Sequence, residues 1–149
     1  MSLKEQIEAD IKTAMLAGEK TLVTTLRGIK SAILNVEVAK GARETGLPDS
    51  EVTDILAKEA KKRQESADMY VQGNSQERAD AELTEKAVIE KYLPKQLDEA
   101  EISKIIDEVM TEVGSTPQQM GQIIGAVKSK TAGAADGAMI ARLVKEKLA

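Results

Sequence analysis

Apolar residues recur at helical spacing along almost the entire chain. Leu3, Ile7, Ile11 and Met15 step by four and predict a first helix closed by Gly18. Leu22, Leu26, Ile29, Ile33 and Val36 predict a second, longer one ending near Gly41, followed by a loop from Gly41 to Pro48. Asp49 or Ser50 is then placed to cap a third helix, which runs through Val52, Ile55, Leu56 and Ala60 to Met69 and Tyr70 and breaks at Gly73-Asn74. A fourth, from about Gln76, carries Leu83, Ala87, Val88 and Tyr92 and must end before Pro94.

Beyond Pro94 the periodic pieces are shorter. Asp98 with Glu101 three residues on resembles a capping box, ahead of the stripe Ile102, Ile105, Ile106, Val109, Val113 and its stop at Gly114. Thr116-Pro117 reads as an N-cap with proline in the first turn of a helix that carries Met120, Ile123, Ile124 and Val127. Asp136 can cap a last helix bearing Met139, Ile140, Leu143, Val144 and Leu148. The expectation is an all-α protein of seven helices. A hinge at Leu93–Leu97 would split it into an N-terminal domain, 1–94, and a C-terminal one, 95–149.

Composition sharpens this picture. Only 1% of residues are aromatic, so the core must be aliphatic, which suits helix-on-helix packing better than a sheet. The first residues hold no apolar signal stretch, and no apolar run approaches the roughly 20 residues of a membrane span. The expected setting is therefore cytoplasmic, with no membrane partner.

Several chemistries lack their residues. With no cysteine and no histidine there is no disulfide, no zinc or transition-metal site, and no common neutral-pH general base. No glycine-rich nucleotide loop is present. No cofactor and no catalytic residue are expected, and binding becomes the working reading.

The net charge of −4 argues against a generic nucleic-acid coat, but it is unevenly spread. Residues 96–113 hold one Lys/Arg and six Asp/Glu, whereas residues 114–149 hold five and two. Two further basic groups lie upstream. Lys58 and Lys61-Lys62-Arg63 form either a phosphate-contacting ridge or a solvated face paired with Glu59, Glu65, Glu51 and Asp54. Arg27 and Lys30 either meet a ligand or pair with Glu37 and similar carboxylates.

The stretch from Met120 to Lys130 is the most informative. Gly121 and Gly125 lie inside a predicted helix, where each glycine costs about 1 kcal/mol relative to alanine. Close approach of a second helix, or of a ligand backbone, would compensate. Gly133 and Gly137 flank a flexible turn, with Lys128 and Lys130 before it and Arg142 and Lys145 after it. Such a hairpin could lie against a sugar-phosphate backbone. Without aromatic residues in this segment it would read shape and charge, not bases.

Four segments together resemble the YqeY family, related to the tail domain of the GatB subunit of tRNA-dependent amidotransferases. They are Leu26 to Ile33 leading to Lys40-Gly41; Lys61 to Ser66 leading to Tyr70; Tyr92-Leu93-Pro94-Lys95-Gln96-Leu97; and Met120-Gly121 through Asp136-Gly137. The resemblance implies an N-terminal four-helix portion followed by a C-terminal three-helix bundle. It also implies a non-catalytic accessory module that grips tRNA and works beside an aminoacyl-tRNA synthetase or amidotransferase. The glutamine-dependent carbon–nitrogen ligase activity associated with the family would then reside in other domains and subunits. Carried over by position, Gly121, Gly125, Lys128, Gly133, Gly137 and Arg142 fall in the tail-domain motif. Gln122, Ala134 and Ala138 stand where family members often carry Lys or Arg, which lowers the expected number of phosphate contacts. The alternative expectation is a protein–protein adaptor of the same enzymes that touches no RNA, consistent with the acidic 96–113 segment.

Overall fold

A computed structural model describes all 149 residues. It contains seven α-helices and no strand: α1 Leu3–Leu16, α2 Lys20–Ala39, α3 Asp49–Gln72, α4 Gln76–Glu90, α5 Glu99–Val113, α6 Met120–Thr131 and α7 Gly137–Leu148, with a 3-10 turn at Pro117–Gln119 leading into α6. None of the helices is long and apolar enough to cross a membrane. The chain divides into two compact units, Met1–Leu93 with α1 to α4 and Pro94–Ala149 with α5 to α7.

In the first unit, Ile7, Ile11 and Ala14 of α1 pack with Val23, Leu26, Ile29 and Ile33 of α2, Val52, Leu56 and Ala60 of α3, and Ile89 of α4. Each fully buried Ile, Leu or Val in this set contributes about 1.5–3 kcal/mol relative to exposure. Met15, expected on the core face, is 53% exposed, and Ala14 takes its place. A step of four residues overshoots a helical turn by about 40°, so three such steps rotate Met15 out of the stripe. Leu83 and Ala87 are likewise exposed, and α4 instead buries Ala79 and Ile89.

The start of α3 also differs from expectation. Pro48 occupies the N-cap position, and neither Asp49 nor Ser50 caps the helix. The Asp49 carboxylate instead accepts the Leu3 backbone N–H at 3.1 Å, joining the beginnings of α1 and α3. Glu37, one turn beyond Ile33, is completely buried. The Lys4 ammonium reaches its two carboxylate oxygens at 2.9 and 3.1 Å.

The second unit has its own aliphatic core of Ile102, Ile106, Val109, Ile123, Val127, Ile140, Leu143 and Val144. The capping box before α5 forms as the spacing predicts. Asp98 accepts the Glu101 N–H at 2.7 Å, and Glu101 accepts the Asp98 N–H at 3.1 Å. Gln119 closes the next connection, donating to the Val113 carbonyl at 2.7 Å and accepting from the Thr116 N–H at 3.2 Å.

Candidate nucleic-acid interface

The α6 helix places Gly121, Gly125 and Lys128 at i, i+4 and i+7, on one stripe. All three are exposed, and a Cβ added at either glycine would meet nothing within 4 Å. No second helix of this chain approaches these glycines closely. The apolar positions Ile123 and Val127 take the opposite side of α6 into the core.

Lys128 extends from this stripe over the start of α7. A Cβ at Gly137 would lie 3.3 Å from its Cε and 3.5 Å from its Nζ. Gly137 is the first residue of α7, and Asp136 caps that helix by accepting the Ala138 N–H at 3.3 Å. The structure thus brings Lys128 to Gly137 and keeps it on the α6 stripe of Gly121 and Gly125.

The turn between α6 and α7 is hydrogen-bonded to the segment that follows Pro94. Ala132 and Gly133 take left-handed backbone angles, φ 44° and 87°. The Ala134 carbonyl accepts from the Leu97 N–H at 2.8 Å, and the Gly133 carbonyl accepts from Gln96 Nε2 at 3.2 Å. Two residues of the Pro94 segment therefore hold the turn in place.

The remaining cations are deployed differently from the sequence expectation. Lys130 pairs with Glu112 at 3.3 Å, and Lys147 with Asp107 at 2.8 Å. Arg142 meets Glu99 at 3.3 Å and Glu146 at 3.2 Å. The Glu99 carboxylate first, then Glu146, holds the Arg142 proton more tightly than usual. Lys128 and Lys145 are exposed and stand outside these ion pairs. The basic 114–149 segment thus folds against the acidic helix before it, and the unit as a whole has seven Lys/Arg against eight Asp/Glu.

Glu99, Asp107 and Glu112 are the participants that sequence reasoning missed. On a wheel of about 100° per residue, Glu99 and Asp107 fall on one flank of the α5 apolar stripe and Glu112 on the other. That flanking was visible in the sequence. Which neighbour would lie on each flank was not, because that depends on how three helices pack.

Several cations of the upstream basic groups pair within the first unit. Arg63 is held by Glu59 and lies 3.5 Å from Glu85, and Lys62 pairs with Glu59 at 3.3 Å. Glu51, another partner expected for this cluster, pairs instead with Lys40 at 3.0 Å. Lys30 pairs with Glu8 at 3.4 Å, and Glu37 is engaged by Lys4. Arg27 donates to the Met15 sulfur at 3.6 Å, on the rim of a groove of about 330 Å³ that Gly18, Lys20 and Val23 also line.

Among known proteins, three yeast relatives share a name, altered inheritance of mitochondria protein 41, mitochondrial. The Clavispora lusitaniae protein is 32% identical over 115 residues, covering 75% of this chain and 65% of its own length. The Kluyveromyces lactis protein is 28% identical over 130 residues, with 84% and 69% covered. The Saccharomyces cerevisiae protein (strain YJM789) is 27% identical over 134 residues, with 84% and 70% covered. The chain therefore spans about two thirds of the length of these relatives. Their names place those proteins in mitochondria, a different setting from the cytoplasmic one expected from sequence. The family model described as Yqey-like protein matches residues 4–148, taking in both helical units and all four segments that carried the resemblance, and the chain belongs to that family.

Proposed function

We propose that this chain is an accessory module that lays the α6–α7 side of its C-terminal unit against tRNA, reading backbone shape and charge while catalysis is left to other proteins. In this reading residues 1–94 form a four-helix portion and residues 95–149 a three-helix, tail-like bundle that carries the contact. The observation behind it is the outward stripe of Gly121, Gly125 and Lys128, whose glycines have no neighbour within 4 Å. Two glycines that weaken a helix and relieve no internal crowding leave a smooth surface for close approach from outside. The likeness to the amidotransferase tail domain supports tRNA as the ligand.

Filter binding with bulk tRNA at two salt concentrations tests the proposal. A few phosphate contacts should make the affinity fall several-fold on raising salt from about 50 to 200 mM. Reversing Lys128, Lys130 and Arg142 to glutamate should abolish binding. A chain that retains no tRNA even at low salt overturns this function.

One observation favours a second reading, a protein–protein adaptor of a synthetase or amidotransferase. Three of the five cations in segment 114–149 already face carboxylates of α5. A partner captured equally well after nuclease treatment, and unaffected by the charge reversals, would support the adaptor over the RNA reading.

A further inference from the structure

We propose that Glu99, Asp107 and Glu112 are specificity-determining residues, acting as a built-in competitor that occupies three cations until a dense polyanion displaces it. This inference rests on the tRNA-binding reading and concerns the same unit.

The three pairs share a design. Each joins α5 to a later helix: Glu112 to Lys130 on α6, and Glu99 and Asp107 to Arg142 and Lys147 on α7. In each pair the carboxylate is more exposed than the cation, with side-chain exposures of 63% against 40%, 57% against 48%, and 64% against 25%. Exposed pairs of this kind are weak individually and exchange readily with solvent. They can therefore be broken by a stronger anion without disturbing the aliphatic core beneath.

A single phosphate would have to displace a carboxylate that is already in place, and would gain little. A chain of phosphates recruits Lys128 and Lys145, which stand outside these pairs, and then exchanges the latched cations in one encounter. The carboxylates also repel any phosphate that approaches in the wrong register. The arrangement thus lowers affinity for all polyanions but lowers it least for one whose phosphates match the cation spacing.

The test compares the full-length wild-type chain with the triple variant E99Q/D107N/E112Q in gel shifts with bulk tRNA and with heparin. Removing three weak competitors should raise affinity for tRNA about tenfold, and for heparin by more. E108Q is the control. Glu108 lies on the same helix and is exposed, but it forms none of these ion pairs, so its removal changes net charge without freeing a cation. The variant's helical circular dichroism and melting should match wild type.

Equal gains from E108Q and from E112Q, whose Lys130 has no second carboxylate partner, would replace the latch with a general field effect and overturn the proposal. A triple variant that gains nothing while wild type binds tRNA would overturn it and leave the tRNA reading standing. Failure of both proteins to bind removes both ideas. Binding by the triple variant alone would overturn the tRNA reading for the natural chain, and this proposal with it.

Discussion

Lys128 lies across Gly137, with its Cε 3.3 Å from the place a side chain at residue 137 would begin. The neighbour that must yield to such a side chain is the end of a flexible lysine, not backbone. Gly137→Ala should therefore fold normally, within about 0.5 kcal/mol of wild type. It should nevertheless displace Lys128 and weaken tRNA binding by about twofold to threefold. If the two act through one contact, adding Gly137→Ala to Lys128→Ala costs no further affinity. Independent, additive losses in that cycle would show that Gly137 serves some other purpose.

Gly125→Ala separates stability from binding more sharply. Position 125 lies inside α6 with open space around it, so alanine should stabilise the helix by about 1 kcal/mol. Gly121, near the start of α6, should gain less. Both substitutions place a methyl group on the proposed contact face. The expected result is higher resistance to urea together with weaker tRNA retention. A stabilised variant with undiminished binding would mean that the glycine stripe is not where the ligand sits.

Most helix ends were legible because they depend on local chemistry; the start of α3 was not, since Asp49 turns to the Leu3 N–H instead of capping its own helix. The Asp98–Glu101 box formed as its spacing demands, and the glycines at 18, 41 and 114 all take positive φ where their helices stop. Helix faces were less legible. Met15 and Leu83 are apolar and almost in phase, yet both lie on the outside, since a small residue one position or one turn away packs closer. The interface was legible in part. Gly121, Gly125 and Lys128 share a stripe because sequence spacing alone sets it, whereas the pairing of Lys130, Arg142 and Lys147 with α5 required the packed order of three helices.

Glu37 shows the same limit from the other side, since a carboxylate in phase with Leu26, Ile29 and Ile33 reads as surface until its neighbours are known. Its burial makes Lys4 indispensable. Replacing Lys4 with methionine leaves a charged group in an aliphatic setting with its only ion-pair partner removed. The cost should be about 3 kcal/mol, at the low end for a broken buried pair because Lys4 itself is partly exposed. The double variant Lys4→Met/Glu37→Leu should recover most of that loss in urea denaturation. A single variant as stable as wild type would show that water reaches Glu37.

Tyr92 offers a pH-dependent test of the first unit. Its hydroxyl donates to the Asp10 carboxylate, tying the segment after α4 back to α1. Burial first, and then the hydrogen bond and negative charge of Asp10, push its ionisation well above the ordinary phenol value of about 10. A group whose folded pKa is raised stabilises the fold fully below the unfolded pKa and loses that contribution as pH rises toward the folded value. The unit should therefore hold its stability up to about pH 10 and lose it progressively in more alkaline solution. In a Tyr70→Phe background Tyr92 is the sole tyrosine, so tyrosinate absorbance follows it alone. Its ionisation should coincide with loss of helical circular dichroism, and Asp10→Asn should move both to lower pH. Ionisation near pH 10 with the helices intact would show that the Asp10 contact does not persist in solution.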